Sequence, residues 1–190
     1  MSLQATPSQT VGPYFHIGFN WLYVAEIAPV GVSGARVEVE GRVIDGDDKP
    51  IDDAVIEIWQ ANAHGKYAHP EDRQDKPLEP GFRGFGRVRT DAQGRFRFST
   101  IKPGRVTDHD GSVQAPHLAI SIFARGVTKR LATRLYFPEE EAANADDLAL
   151  QLVPAARRRT LIAERLPGSD RSLQWVVKIQ GTGETVFFDV

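Results

Sequence analysis

Apolar and polar positions alternate along much of the chain. Val37, Val39, Gly41 and Val43 interleave with Glu38, Glu40, Arg42 and Ile44, the two-residue period of a half-buried strand. Ala54 to Gln60 (AVIEIWQ) reads as the next strand, set off by the turn chemistry of Asp45-Gly46-Asp47-Asp48-Lys49-Pro50. A second turn, Thr90-Asp91-Ala92-Gln93-Gly94, precedes Arg95-Phe96-Arg97-Phe98, where rings point one way and guanidinium groups the other. Leu118, Ile120 and Ile122 share one face of a further strand, and Leu131 to Phe137 reads as another. Near the C-terminus, Leu173 to Gln180 and Thr185 to Val190 are expected to close a hairpin around Gly181-Thr182-Gly183. Short strands between Gly, Pro and Asp turns predict a mainly β, single-domain sandwich rather than a parallel sheet.

Helix is a minority expectation, confined to Glu139 to Leu150 and to Arg157 to Leu166. The connection from His64 to Arg83 is too long for a tight connector and reads as an interaction surface. Trp59 and Phe137 are assigned to the core. Glu57, on the AVIEIWQ strand, is either a buried polar residue or an edge residue. Arg157-Arg158-Arg159 reads as a solvated helix face or a subunit contact rather than an anion site.

Length and composition narrow the possibilities. A chain of 190 residues suits one domain, and 41% hydrophobic with 25% charged residues argues against disorder. A net charge of -2 leaves no electrostatic footprint for nucleic acid or an anionic membrane. No apolar run approaches the roughly 20 residues of a membrane helix, and Met1-Ser2-Leu3-Gln4 does not begin a secretory signal. With no cysteine, disulfides and thiolate metal sites are excluded, which fits a cytoplasmic protein. His16, His64, His69 and His109 show no ligand spacing on a recognisable element.

Four segments together resemble the intradiol ring-cleavage dioxygenases: IEIWQANAHGKY (Ile56 to Tyr67), GFGRVRTDAQGRFRFSTIKPG (Gly84 to Gly104), APHLAISIFARG (Ala115 to Gly126) and TRLYF (Thr133 to Phe137). The opening TPSQTVGPYFHIG and the ending QGTGETVFFDV are similar to the α subunits of that family's protocatechuate-cleaving branch. The resemblance spans nearly the whole chain and implies a mixed β-sandwich with a few short helices. Catalytic members hold a non-haem Fe(III) with two Tyr phenolates, two His imidazoles and a hydroxide. The hard ferric ion suits anionic oxygen ligands. It drains electron density from a chelated catechol, so that O2 attacks the ring.

Set against that requirement, Tyr67 falls on the first ligand Tyr and His117 on the first His. Ala119 stands at the second His position and Val106 at the second Tyr position. Gln114 replaces an Arg that precedes the paired histidines. The resemblance therefore implies no catalytic residue and no metal ligand in this chain. Its Fe(III) would be held by an iron-bearing β subunit of a hetero-oligomer acting on protocatechuate and O2. Residues 1–35 would form an N-terminal arm that packs on that partner. Thr10, Gly12 and Pro13 would line the substrate pocket with Tyr14 beside them, glycine allowing close approach and proline stiffening an extended segment. Arg125 matches an α-subunit Arg facing the same pocket, where it would favour the substrate carboxylate. Arg134 reads as a structural ion-pair residue at a strand end, Tyr67 as a packed aromatic and His117 as a hydrogen-bonded structural histidine. Two alternatives stay open: a self-sufficient dioxygenase with an altered ligand set, and a non-enzymatic β-sandwich binding module.

Overall fold

The alternation of valines with charged residues produces β1 (Arg36–Ile44), whose Val37, Val39 and Val43 are all buried. The computed structural model describes residues 4–108 and 111–190, and for Pro13, Tyr14 and His16 the backbone alone. Along the chain β1 is followed by β2 (Val55–Trp59), β3 (Phe85–Arg89), β4 (Arg95–Ile101), β5 (Val106–Thr107) and β6 (Val113–Gln114). Then come β7 (His117–Phe123), β8 (Leu131–Tyr136), β9 (Glu164–Arg165) and β10 (Ser172–Lys178). They build two four-stranded sheets, β4-β1-β10-β9 and β3-β2-β7-β8, with β5-β6 as a small ribbon. The β1–β10 pair is parallel and the other strand pairs are antiparallel. The fold is a mainly β, mixed sandwich.

The inner faces meet in one core. Ile56 and Ile58 of β2 and Leu118, Ile120 and Ile122 of β7 face Val39, Val43, Phe96, Phe98, Leu173 and Trp175 across it. Each fully buried aliphatic side chain contributes about 1.5–3 kcal/mol. Phe137 belongs to this core as expected. Gly41 is required there: a Cβ at that position would collide with the Phe96 ring. Both predicted turns are present. Asp45 Oδ1 accepts from the Asp47 and Lys49 amides, and Asp91 Oδ1 from Gln93 and Arg95, each at 2.9 Å.

Several local expectations are corrected. Thr185–Val190 forms no hairpin ladder with β10. After two bonds between Thr185 and Lys178, its amide to Lys178 O at 2.9 Å and the Lys178 amide to its Oγ1 at 3.0 Å, the tail crosses to β8. There the Phe188 amide donates to Ala132 O (2.8 Å) and Thr133 Oγ1 to Val186 O (2.7 Å). The crossing packs Val186 and Phe188 against Tyr136, Leu150 and Leu161, an apolar contact that a free-standing hairpin lacks. The helical stretch near Glu139 divides into α2 (Glu141–Asp146) and α3 (Leu148–Gln151), with α1 (Pro13–Gly18) lying earlier in the chain. Asp147 separates α2 from α3 and caps α3 through Leu150 N–H at 2.9 Å. Arg157 to Leu166 holds only the end of α4 (Ala155–Arg158) and a 3-10 turn before β9. The arginine cluster has the solvated face expected of it: Arg157 and Arg159 are exposed, while Arg158 donates to Val153 O and Gln151 O, and Arg157 pairs with Glu184. Pro13 opens α1 instead of stiffening an extended segment, using the first-turn position where its missing N–H costs nothing.

The N-terminal segment rests partly on its own sandwich. Val24 exchanges bonds with Arg87, Ile27 enters the main core, and Ala28 and Val32 join Phe82 and Ile101 in a satellite cluster. Among the described residues no helix is long and apolar enough to cross a membrane.

Candidate functional site

Strand parity sets the chemistry of the outer face of the β3-β2-β7-β8 sheet. With Ile58, Ile120 and Thr133 turned inward, their neighbours Trp59, Ala119 and Arg134 turn outward in direct register across β2, β7 and β8. Trp59 is therefore not a core residue. It is half-buried and stacks on Tyr67, with ring centroids 5.9 Å apart and planes 5° from parallel. Glu57 lies on the same outer face and holds Arg87, Oε1 to Nε at 2.8 Å.

Arg134 also departs from its expected role. It sits within β8 and makes no ion pair among the described residues. Its Nη1 donates to Gln114 Oε1 (3.0 Å) and to the Tyr136 hydroxyl (3.3 Å). Tyr136 in turn donates to Asp147 Oδ1 (3.1 Å), and Asp147 Oδ2 accepts the Ala115 amide (2.8 Å). A cavity of about 730 Å³ opens beside this network, bounded by Trp59, Tyr67, Val106, Gln114 and Arg134. Its loop wall is ordered by two side chains that sequence reasoning passed over. Asn62 Oδ1 accepts the His64 and Lys66 amides at 3.0 Å each, and Asp72 accepts those of Tyr67 (2.7 Å) and Gln74 (3.0 Å). Their signal is an Asx residue followed by Gly or a charged turn.

Burial raises the Tyr67 hydroxyl above its ordinary value, Arg134 pulls it back, and Asp72 and Asp108 push it up further. His117 is 3% exposed, and its Nδ1 lies 2.8 Å from Ala115 O, so the proton resides on Nδ1. Burial, aided by the Arg134 charge, lowers its pKa to about 4. Between pH 6.5 and 4 the unfolded chain binds a proton that the folded chain refuses. The stability is complete above pH 6.5 and falls with acidification, by about 3 kcal/mol at pH 4. Urea unfolding across this range is expected to show that fall in the native sequence and a flatter profile in His117→Gln. Equal slopes would mean the imidazole is not buried neutral.

A family model described as Dioxygenase matches residues 27–180.

The chain belongs to this dioxygenase family.

Among its relatives, the protocatechuate 3,4-dioxygenase alpha chain of Burkholderia cepacia is 42% identical, covering 100% of this chain and 99% of that one. The alpha chain of Pseudomonas putida is also 42% identical, covering 98% and 97%. The Burkholderia cepacia beta chain is 42% identical over 132 residues, 68% of this chain and 56% of its own. In fold the chain is similar to the dioxygenase domain of a carbohydrate-binding fusion protein from Streptomyces sp. SirexAA-E, with a TM-score of 0.62 at 24% identity. That match covers 94% of this chain and 99% of the other.

The ferric site of catalytic family members does not fit here. Val106 and Ala119 offer no donor atoms, and the Arg134 cation shares the face on which Ala119 stands. A guanidinium cannot be deprotonated to become a ligand.

The residues expected at a shared pocket gather at the opposite end of β7 from His117. Arg125 lies beyond the far end of β7, a strand whose own length from His117 to Phe123 is roughly 20 Å. Thr10 Oγ1 accepts the Gly126 amide at 2.7 Å and so ties the arm to Arg125's loop. Val11, Gly12, Phe15 and Arg125 line a cavity of about 270 Å³, and Phe15 packs on Phe123, centroids 5.3 Å apart. Arg125 Nε pairs with Asp53 and Nη2 with Asp52 (3.3 Å), two carboxylates the sequence did not single out. Nη1 keeps no acceptor among the described residues. The side chains of Pro13 and Tyr14 lie outside the described residues.

Proposed function

We propose that this chain is the iron-free α subunit of a protocatechuate 3,4-dioxygenase, paired with an iron-bearing β subunit. The pair would cleave protocatechuate with O2 to 3-carboxy-cis,cis-muconate, both oxygen atoms entering the product. Non-haem Fe(III) on the β subunit supplies the ring activation, and this chain supplies part of the pocket wall. The full-length similarity to two alpha chains carries the reading, and the donor-free positions Val106 and Ala119 support it. A cytoplasmic location belongs to the same proposal and rests on the cysteine-free sequence.

In this reading residues 1–35 form the arm that packs on the partner. Trp21 is 80% exposed and Ile17 60%, apolar surface that fits a subunit contact. The Thr10–Gly126 bond leads the arm past Arg125, which supports a reading in which Thr10, Gly12 and Pro13 would line the substrate pocket. Arg125 would meet the substrate carboxylate through its open Nη1 edge. Because Asp52 and Asp53 already share its charge and the side chain is solvated, the gain is modest. Arg125→Ala is expected to raise KM for protocatechuate about tenfold while changing catechol turnover little. Equal losses for both compounds would remove the carboxylate role.

The deciding experiment is co-expression with related iron-bearing chains, followed by iron analysis and protocatechuate turnover of the complex and of each chain. Iron and activity are expected in the complex, and this chain alone is expected to be colourless. A stoichiometric, competent iron centre in the lone chain would establish the self-sufficient alternative.

A further inference from the structure

Three aromatic side chains of the arm, Phe15, Phe19 and Tyr23, recur every four residues and turn onto the chain's own sheet. Phe15 packs on Phe123, centroids 5.3 Å apart, and meets Phe19 edge to face at 4.6 Å. Phe19 in turn meets the Arg87 guanidinium, whose central carbon lies 4.6 Å from its ring centroid. Tyr23 meets that of Arg89 at 5.7 Å. The alternate stripe, Ile17 and Trp21, stays exposed.

Arg87 is braced for this contact from the sheet. It stands opposite Glu57 in the β2–β3 register, and Nε (2.8 Å) and Nη2 (2.5 Å) both donate to Glu57 Oε1. Those bonds use the edge of the guanidinium plane and leave its faces for rings, Phe19 on the arm and Phe85 at 5.3 Å on β3. The Arg87 side chain is only 16% exposed, and desolvation strengthens the pull of a cation on an aromatic face. The backbone fixes the end of the same segment, where Val24 and Arg87 exchange amide bonds at 2.8 and 3.0 Å. Held at Val24, Phe19 and Phe15, the arm brings Val11 and Gly12 to the cavity that Arg125 also lines.

We propose that Arg87 is a positioning residue for the arm: gripped by Glu57 and lying against Phe19, it fixes the approach of the segment that reaches Gly12 beside Arg125. Its consequence for substrate binding rests on the α-subunit reading; the clamp on the arm does not.

The test pairs amide hydrogen exchange with kinetics on the full-length protein, in whatever assembly it forms. Phe19→Leu keeps apolar bulk without a ring face, Phe19→Tyr keeps the ring, and Arg87→Lys keeps the charge without the planar fork. Exchange within residues 12–24 is expected to quicken about fivefold in Phe19→Leu and Arg87→Lys, the scale of one lost cation–π contact. Phe19→Tyr, and the β4-β1-β10-β9 sheet of every variant, should exchange as in the native protein. In the two weakened variants KM for protocatechuate should rise about fivefold with kcat unchanged, and the double variant should lose no more than either one. Phe19→Leu alters no sheet residue, so it decides the matter if Arg87→Lys fails to fold. Native exchange in Phe19→Leu, a loss confined to kcat, or losses that multiply in the double variant would overturn the proposal. An assembly that does not turn over protocatechuate would sink the α-subunit reading alone, and the exchange rates would still decide the clamp.

Discussion

Asp147→Ala is expected to lower the unfolding free energy by about 3–5 kcal/mol, the cost of breaking a buried polar network. Asp147 is fully buried. One oxygen accepts the Ala115 amide, and the other accepts the Leu150 amide and the Tyr136 hydroxyl. Alanine would leave two buried donors unpaired and strip the cap from α3. Asp147→Asn keeps the shape but turns an NH2 towards a donor, and is expected to lose about half as much. Urea unfolding near neutral pH measures both. A loss under 0.5 kcal/mol for the alanine variant, roughly the scatter of surface substitutions, would show that the network does not hold this corner. The corner matters to the candidate site because Ala115 leads into His117, and Tyr136 steadies Arg134.

Removing residues 1–11 is expected to reduce protocatechuate turnover of the assembled enzyme about 100-fold, the scale of a misplaced pocket wall, with iron content unchanged. The deletion takes away Thr10, whose hydroxyl accepts the Gly126 amide beside Arg125, and Val11, which lines the arm cavity. It spares Val24, Ile27 and Val32, which anchor the segment to this chain's own sheets. The sandwich should therefore remain folded, and its thermal midpoint provides the control. Full turnover in the shortened protein would contradict a pocket shared between subunits.

Local patterns were legible because they depend on neighbours in sequence. The valines of β1, the paired isoleucines of β2 and β7, and the Asp-Gly turns before β4 all follow from two-residue parity and from side chains bonding nearby amides. Parity also held a signal for Trp59: one residue beyond Ile58, it had to face away from the core. Its size and apolarity argued for burial, and the pattern argued correctly against it. The family resemblance located Tyr67, Val106, His117 and Ala119 as positions. It did not disclose what fills the space between them.

The sequence by itself determined β1, β2, β4, β7, β8 and β10, the two Asp turns, the missing donors at Val106 and Ala119, and the family. Tertiary structure alone decided the parallel β1–β10 pair, the tail crossing to β8, the Asp147 network, and the placing of Arg134 opposite Trp59. Each of these joins residues far apart in the chain, by strand register or by a buried bond. A strand's pattern states which side chains share a face, but the packing of the whole chain chooses its neighbours.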